Sequence, residues 1–102
     1  MNKSSTDILI GLPAEKHIRQ GLQDLERGME TVSSCLVRII SPKLLRAGLV
    51  EESTVNEAVD VELKLYQLLQ HEGDRAYSLY NSRLRELASF GHALEQRLKL
   101  AA

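Results

Sequence analysis

Residues 61–84 read VELKLYQLLQHEGDRAYSLYNSRL, and this stretch decides the fold. Ala58, Val61, Leu65 and Leu68 recur at spacings of three, four and three, with Leu69 widening the stripe. Tyr77, Tyr80, Leu84 and Leu87 repeat the rhythm. That is the period of a helix burying one face. Between the runs stand His71, Glu72, Gly73 and Asp74. Gly73 can take the left-handed conformation that ends a helix, and Asp74 can accept the orphan amide hydrogens that open the next. The stretch therefore predicts a helical hairpin. A hairpin alone cannot bury both its stripes, so the rest of the chain must supply helices to cover them.

Upstream, Ile18, Leu22, Leu25, Met29, Val32, Leu36 and Ile39 form the longest periodic run in the chain. Pro13, followed by Ala14 and Glu15, suits the first turn of its helix. Gly28 and the Ser33–Ser34 pair predict a kink or break in it. Ser41–Pro42 is expected to end or bend the helix, because proline lacks the amide and crowds the preceding turn. Lys43 to Ala47 can add a turn or two, stopped by Gly48, with Leu49 and Val50 as an apolar clip below the loop. Thr54 with Glu57 three residues on has the capping-box arrangement, which predicts a short helix over Val55–Val59. Downstream of the hairpin, Ala88 to His92 interrupts the pattern before Ala93, Leu94 and Leu98 resume it. The expected count is five to seven helices of about ten residues, with no strand and no repeat.

The bounds agree with one small domain. The chain has 102 residues, 43% of them apolar and 26% charged, which is neither a disordered nor a membrane composition. Residues 1–7 form a polar tail expected to be mobile, and residues 8–100 form the domain, entered through Ile8, Leu9, Ile10 and Leu12. No apolar run approaches the roughly 18 residues of a spanning helix, and the first ten residues do not make a secretory signal. A single cysteine excludes an internal disulfide framework and fits a reducing, cytoplasmic compartment.

Chemistry finds little support. Cys35 lies beside the main apolar stripe, where a free cysteine belongs to the core. His17, His71 and His92 lack the spacing of a metal site, the six glycines form no phosphate loop, and Ser33 and Ser34 have no acid–base partner nearby. No catalytic residue, cofactor or metal is expected. Nucleic acid is disfavoured by a net charge of −1 and the absence of a basic stripe interleaved with aromatics. Tyr77 and Tyr80 read as core positions rather than base-stacking platforms. Lys16, Arg19 and Arg27 are offset by Glu15, Asp24 and Glu26, so the opening helix is no membrane-surface helix either.

Charge is nevertheless segregated. Residues 1–48 carry +2, residues 49–74 carry −6 and residues 75–102 carry +3. This layout permits an acidic face and basic faces on one small body, an arrangement that steers association and fixes its register. The bland alternative is a solvated surface with clustered charge.

Four pieces of the chain resemble the caspase recruitment domain, CARD, of the death-fold superfamily. They are the long breakable opening helix IRQGLQDLERGMETVSSCLVRII, the segment KLLRAGLVEEST, the hairpin KLYQLLQHEGDRAYSLYNSRLREL with Gly73, Ala76 and Tyr77 at its corner, and the closing GHALEQRL. The likeness covers roughly residues 12–98. It implies an all-α, six-helix antiparallel Greek-key bundle with a kinked or broken first helix. It also implies homotypic pairing with another CARD-containing protein or with itself, in cell-death or innate-immune signalling. In that pairing an acidic surface meets a basic one. The implied acidic face holds Glu51, Glu52, Glu57 and Asp60; the implied basic face holds Lys16, Arg19, Arg27 and Lys64; Arg75, Arg83 and Arg85 would serve a second basic contact. A different reading takes the run from Ile18 to Ile39 as the seam of a dimeric coiled coil. The protein would then be a small helical chaperone or antiactivator that sequesters one partner.

Overall fold

The computed structural model describes residues 8–51, 60–71, 73 and 75–101. Four helices carry the fold: α1 (Glu15–Glu26), α2 (Val32–Arg46), α3 (Val61–Gln70) and α4 (Ala76–Ala101). The protein is all-helical, with no strand among the described residues. α2 is the hub, packed against α1, α3 and α4, and α3 also packs along α4. Ile18, Leu36, Leu44, Leu65, Leu69, Phe90 and Leu94 are fully buried between them. Cys35 is buried in the same core.

The expected break in the opening run falls between Glu26 and Val32. Gly28 is left-handed at φ 70°, its amide bonds to the Leu25 carbonyl at 3.1 Å, and the Met29 amide bonds to the Asp24 carbonyl at 2.8 Å. These two bonds are the Schellman closure of a helix end. Thr31 then caps α2, accepting the Ser34 amide at 3.1 Å while Ser34 Oγ accepts the Thr31 amide at 2.8 Å. Ser34 thus starts a helix rather than breaking one, and Met29 sits 47% exposed in the turn. Since the run folds back on itself here, it is not a straight coiled-coil seam.

At two expected interruptions the helix does not end. α2 continues through Pro42, whose missing amide would have bonded the Arg38 carbonyl. Ser41 Oγ donates to that carbonyl instead, at 2.7 Å, so the acceptor is not orphaned. The helix stops where Gly48 does turn left-handed, at φ 76°. In the same way α4 runs unbroken through Ala88–His92, where the apolar pattern is interrupted. Gly91 is there for proximity: a β-carbon on it would lie 2.8 Å from Lys43 Cδ and 3.3 Å from Ile40 Cδ1 of α2. Four helices therefore stand among the described residues, against the six of the expected Greek key. The expected helix at Val55–Val59, and Asp74 as a cap, lie outside those residues.

Pro13 stands just before the N-cap Ala14 rather than in the first turn of α1. Of the expected entry residues, Leu9 and Leu12 are buried, Ile8 is half-buried and Ile10 is exposed. Arg97 of α4 ties this entry down, donating from one guanidinium nitrogen to the carbonyls of Ile8, at 3.0 Å, and Ile10.

Candidate functional site

The second hairpin does not close as the sequence pattern suggested. Ala76, Leu87, Phe90 and Leu94 carry the buried face of α4, and Tyr77 falls one position off it, 68% exposed. Tyr80 is half-buried and meets Tyr66 of α3 edge-to-face, ring centroids 5.5 Å apart at 87°. Together Asp60, Glu62, Leu63, Tyr66, Tyr77 and Tyr80 line an open cleft of about 430 Å³ between the start of α3 and the start of α4. All three tyrosines of the chain are in it. Leu63 is 52% exposed at its edge. Asp60 caps α3, Oδ1 accepting the Leu63 amide at 3.2 Å. Partial burial pushes the Tyr80 hydroxyl above the ordinary phenol range, and the Glu62 carboxylate adds to this by charge and hydrogen bonding, with Asp60 contributing by charge.

Towards the other end of α4 lies a groove of opposite sign. Lys43 and Arg46 from the last turn of α2 face Glu95, Leu98 and Lys99 across a space of about 250 Å³. Lys43 Nζ is 2.8 Å and Arg46 3.5 Å from the Glu95 carboxylate. The hydrogen bond and charge of Lys43, with Arg46 and Lys99, hold that carboxyl below its usual range. Three cations against one anion leave the groove basic.

Of the residues expected on an acidic face, Asp60 belongs to the cleft, Glu51 is exposed before it in sequence, and Glu52 and Glu57 lie outside the described residues. None of the expected basic residues is among those that line the groove. Lys16 and Arg27 are exposed on α1 and at its end, Arg19 is bonded to Glu15 at 2.7 Å, and Lys64 is paired with Glu30 at 3.1 Å. Arg75 and Arg85 are exposed; Arg83 pairs with Glu86 at 3.0 Å, with its Nε buried and unpartnered. Glu62, Leu63 and Tyr66 were not singled out from sequence, nor were Lys43, Arg46 and Lys99. The signal for the cleft was present in part, since every tyrosine falls in the one hairpin.

The remaining reactive groups stay apart. Burial pushes the Cys35 thiol up, which keeps it protonated. Among the described residues no three His, Cys, Asp or Glu side chains gather as a metal site, and no helix is long and apolar enough to cross a membrane. No family model, curated protein or solved structure matches the chain. What the fold and surface define is a class alone: a small helical protein with two oppositely charged clefts on one long helix.

Proposed function

We propose that the protein is a protein–protein interaction module that recruits or clusters partners through complementary charged faces, in the manner of a CARD. The observation that carries this reading is the pair of clefts on α4. Tyr80 in the acidic cleft and Glu95 in the basic groove are 15 residues apart on a continuous helix, roughly 22 Å at 1.5 Å per residue. Two such faces on one body favour a head-to-tail contact, which does not close on itself and so grows into filaments. Clustering of that kind raises the local concentration of whatever the module carries. The sequence likeness adds the expectation of a homotypic partner, another CARD-containing protein or a second copy, in cell-death or innate-immune signalling. The sequestering chaperone is the weaker reading, because its coiled-coil seam is interrupted by the turn at Gly28.

Light scattering against protein concentration, at low and at moderate salt, tests the reading. Growth into large species that dissolve as salt rises is the expected result. A sharp dimer at every concentration would transfer the case to the chaperone. Reversal at Glu62→Arg should suppress the growth while leaving the helical signal unchanged.

A further inference from the structure

The acidic cleft and the basic groove differ in how their charge is satisfied. In the groove, Glu95 is already held by Lys43 and Arg46. In the cleft, Asp60 and Glu62 are exposed, and no basic side chain is among the described residues that line it. The rest of the lining is aromatic or aliphatic: three tyrosines and Leu63, with Tyr77 and Leu63 the most exposed of them. Exposed apolar area beside carboxylates that no basic side chain of the described lining pairs with describes a surface awaiting a cation that also has an apolar face.

We infer that this cleft receives an arginine side chain presented by a basic segment of the partner protein; the inference rests on the recruitment reading and names the contact at its acidic face. A guanidinium is planar and weakly hydrated, stacks on aromatic faces and forks onto carboxylates. Tyr66 and Tyr80, set edge-to-face, present rings in two orientations, and Tyr77 adds a third from the first turn of α4. Asp60 holds the α3 amide through Oδ1, which leaves its other oxygen for a ligand. A lysine ammonium satisfies the carboxylates but is compact and strongly hydrated, so it gains less from the rings. A nucleic-acid strand could stack on tyrosines, but its phosphates would meet two carboxylates and be repelled.

The chain has no tryptophan, so its intrinsic fluorescence comes from the three cleft tyrosines. Titration with hexa-arginine and hexa-lysine peptides at matched ionic strength is therefore a direct test. Hexa-arginine is expected to change the tyrosine emission and to bind about five-fold more tightly than hexa-lysine, as a cation–π contribution near 1 kcal/mol implies. By calorimetry, Tyr77→Ala should reduce hexa-arginine binding about five-fold, and Glu62→Gln should weaken both peptides. Equal affinity for the two peptides, or full hexa-arginine binding by Tyr77→Ala, would overturn the arginine assignment. Scattering separates this from the recruitment reading. Tyr77→Ala protein that assembles as fully as the parent removes the cleft from the contact and leaves recruitment standing. Parent protein that binds hexa-arginine in the cleft yet never assembles supports the cleft and ends self-assembly.

Discussion

The two helical hairpins of this chain use similar ingredients to opposite ends. α1 and α2 are drawn together at Gly21, where a β-carbon would overlap the Ser33 carbonyl oxygen and Val37 Cγ2. Their corner is sealed by polar bonds. Asp24 accepts the Thr31 hydroxyl at 2.6 Å and the Gln20 amide at 2.9 Å, and Thr31 caps α2. α3 and α4 meet instead through tyrosines that leave an open cleft, with carboxylates at its mouth. Close approach in one place and open aromatic surface in the other separate what holds the fold from what is free to bind. The comparison can be broken from either side.

The largest effect is expected at Gly21. Alanine there gains about 1 kcal/mol of helix propensity, but its β-carbon meets backbone, which cannot swing away. The helices must separate, and overpacking of that kind costs about 1–3 kcal/mol. Gly21→Ala should therefore lower the denaturation midpoint clearly, and an unchanged midpoint would mean that the seam is looser than it looks.

The corner should come next. Thr31→Ala removes the α2 cap, for which about 1 kcal/mol is typical. It also removes the largest of the causes that hold the Asp24 carboxyl below its usual range; the Gln20 hydrogen bond and the Arg27 charge remain. A carboxylate lowered on folding stabilises above its unfolded value, and that stability is lost as pH falls through the folded one. Acid titration of the denaturation midpoint should accordingly be flatter in Thr31→Ala than in the parent. Equal slopes would detach Asp24 from the acid sensitivity.

Gly91 sharpens the contrast with Gly21. Both are helical glycines at a close approach, but the atoms facing Gly91 are mainly Lys43 methylenes. A long side chain can move, at the expense of its half-exposed pair with Glu95. Such pairs contribute under about 1 kcal/mol, close to what alanine gains in propensity. Gly91→Ala should thus leave the midpoint within about 1 kcal/mol of the parent, and a loss as large as that at Gly21 would show Lys43 to be rigidly held.

These differences explain what could be read in advance. The second hairpin was legible because period and a terminal glycine agree at Leu65, Leu69 and Gly73. The stop at Gly48 was legible for the same reason. The helix does not end at Pro42 because the rule for proline counts a lost hydrogen bond, and Ser41 supplies a local replacement that the rule does not see. The segment Ala88–His92 read as an interruption because an interior glycine signals weakness along one helix, whereas Gly91 serves the close approach of the neighbour across from it. Asp60 was placed on an acidic face by the CARD likeness and the run of acidic residues around it, and neither pointed to the tyrosines beside it. Tyr77 was assigned to the core because it shares the spacing of Tyr80, yet the buried face of α4 passes through Ala76. The basic groove was out of reach, since Lys43 and Arg46 meet Glu95 and Lys99 only once α2 lies along α4.

The smallest effect on stability is expected at Tyr77, and that is its value. A side chain 68% exposed has little packing to lose, so Tyr77→Ala should leave the midpoint within about 0.5 kcal/mol of the parent. Tyr80→Ala should differ, because that ring is half-buried and loses its edge-to-face contact with Tyr66, a pair contributing about 1 kcal/mol beyond its buried area. Measuring both variants by the same denaturation series distinguishes a tyrosine that builds the cleft from one that only faces it. If Tyr77→Ala proves as costly as Tyr80→Ala, the cleft is closed in solution and α4 packs more tightly on α3 than its exposed tyrosine suggests. If the cost is near zero, a large aromatic side chain stands on the surface beside Asp60 and Glu62 without supporting the fold, which leaves it free for the contact proposed above.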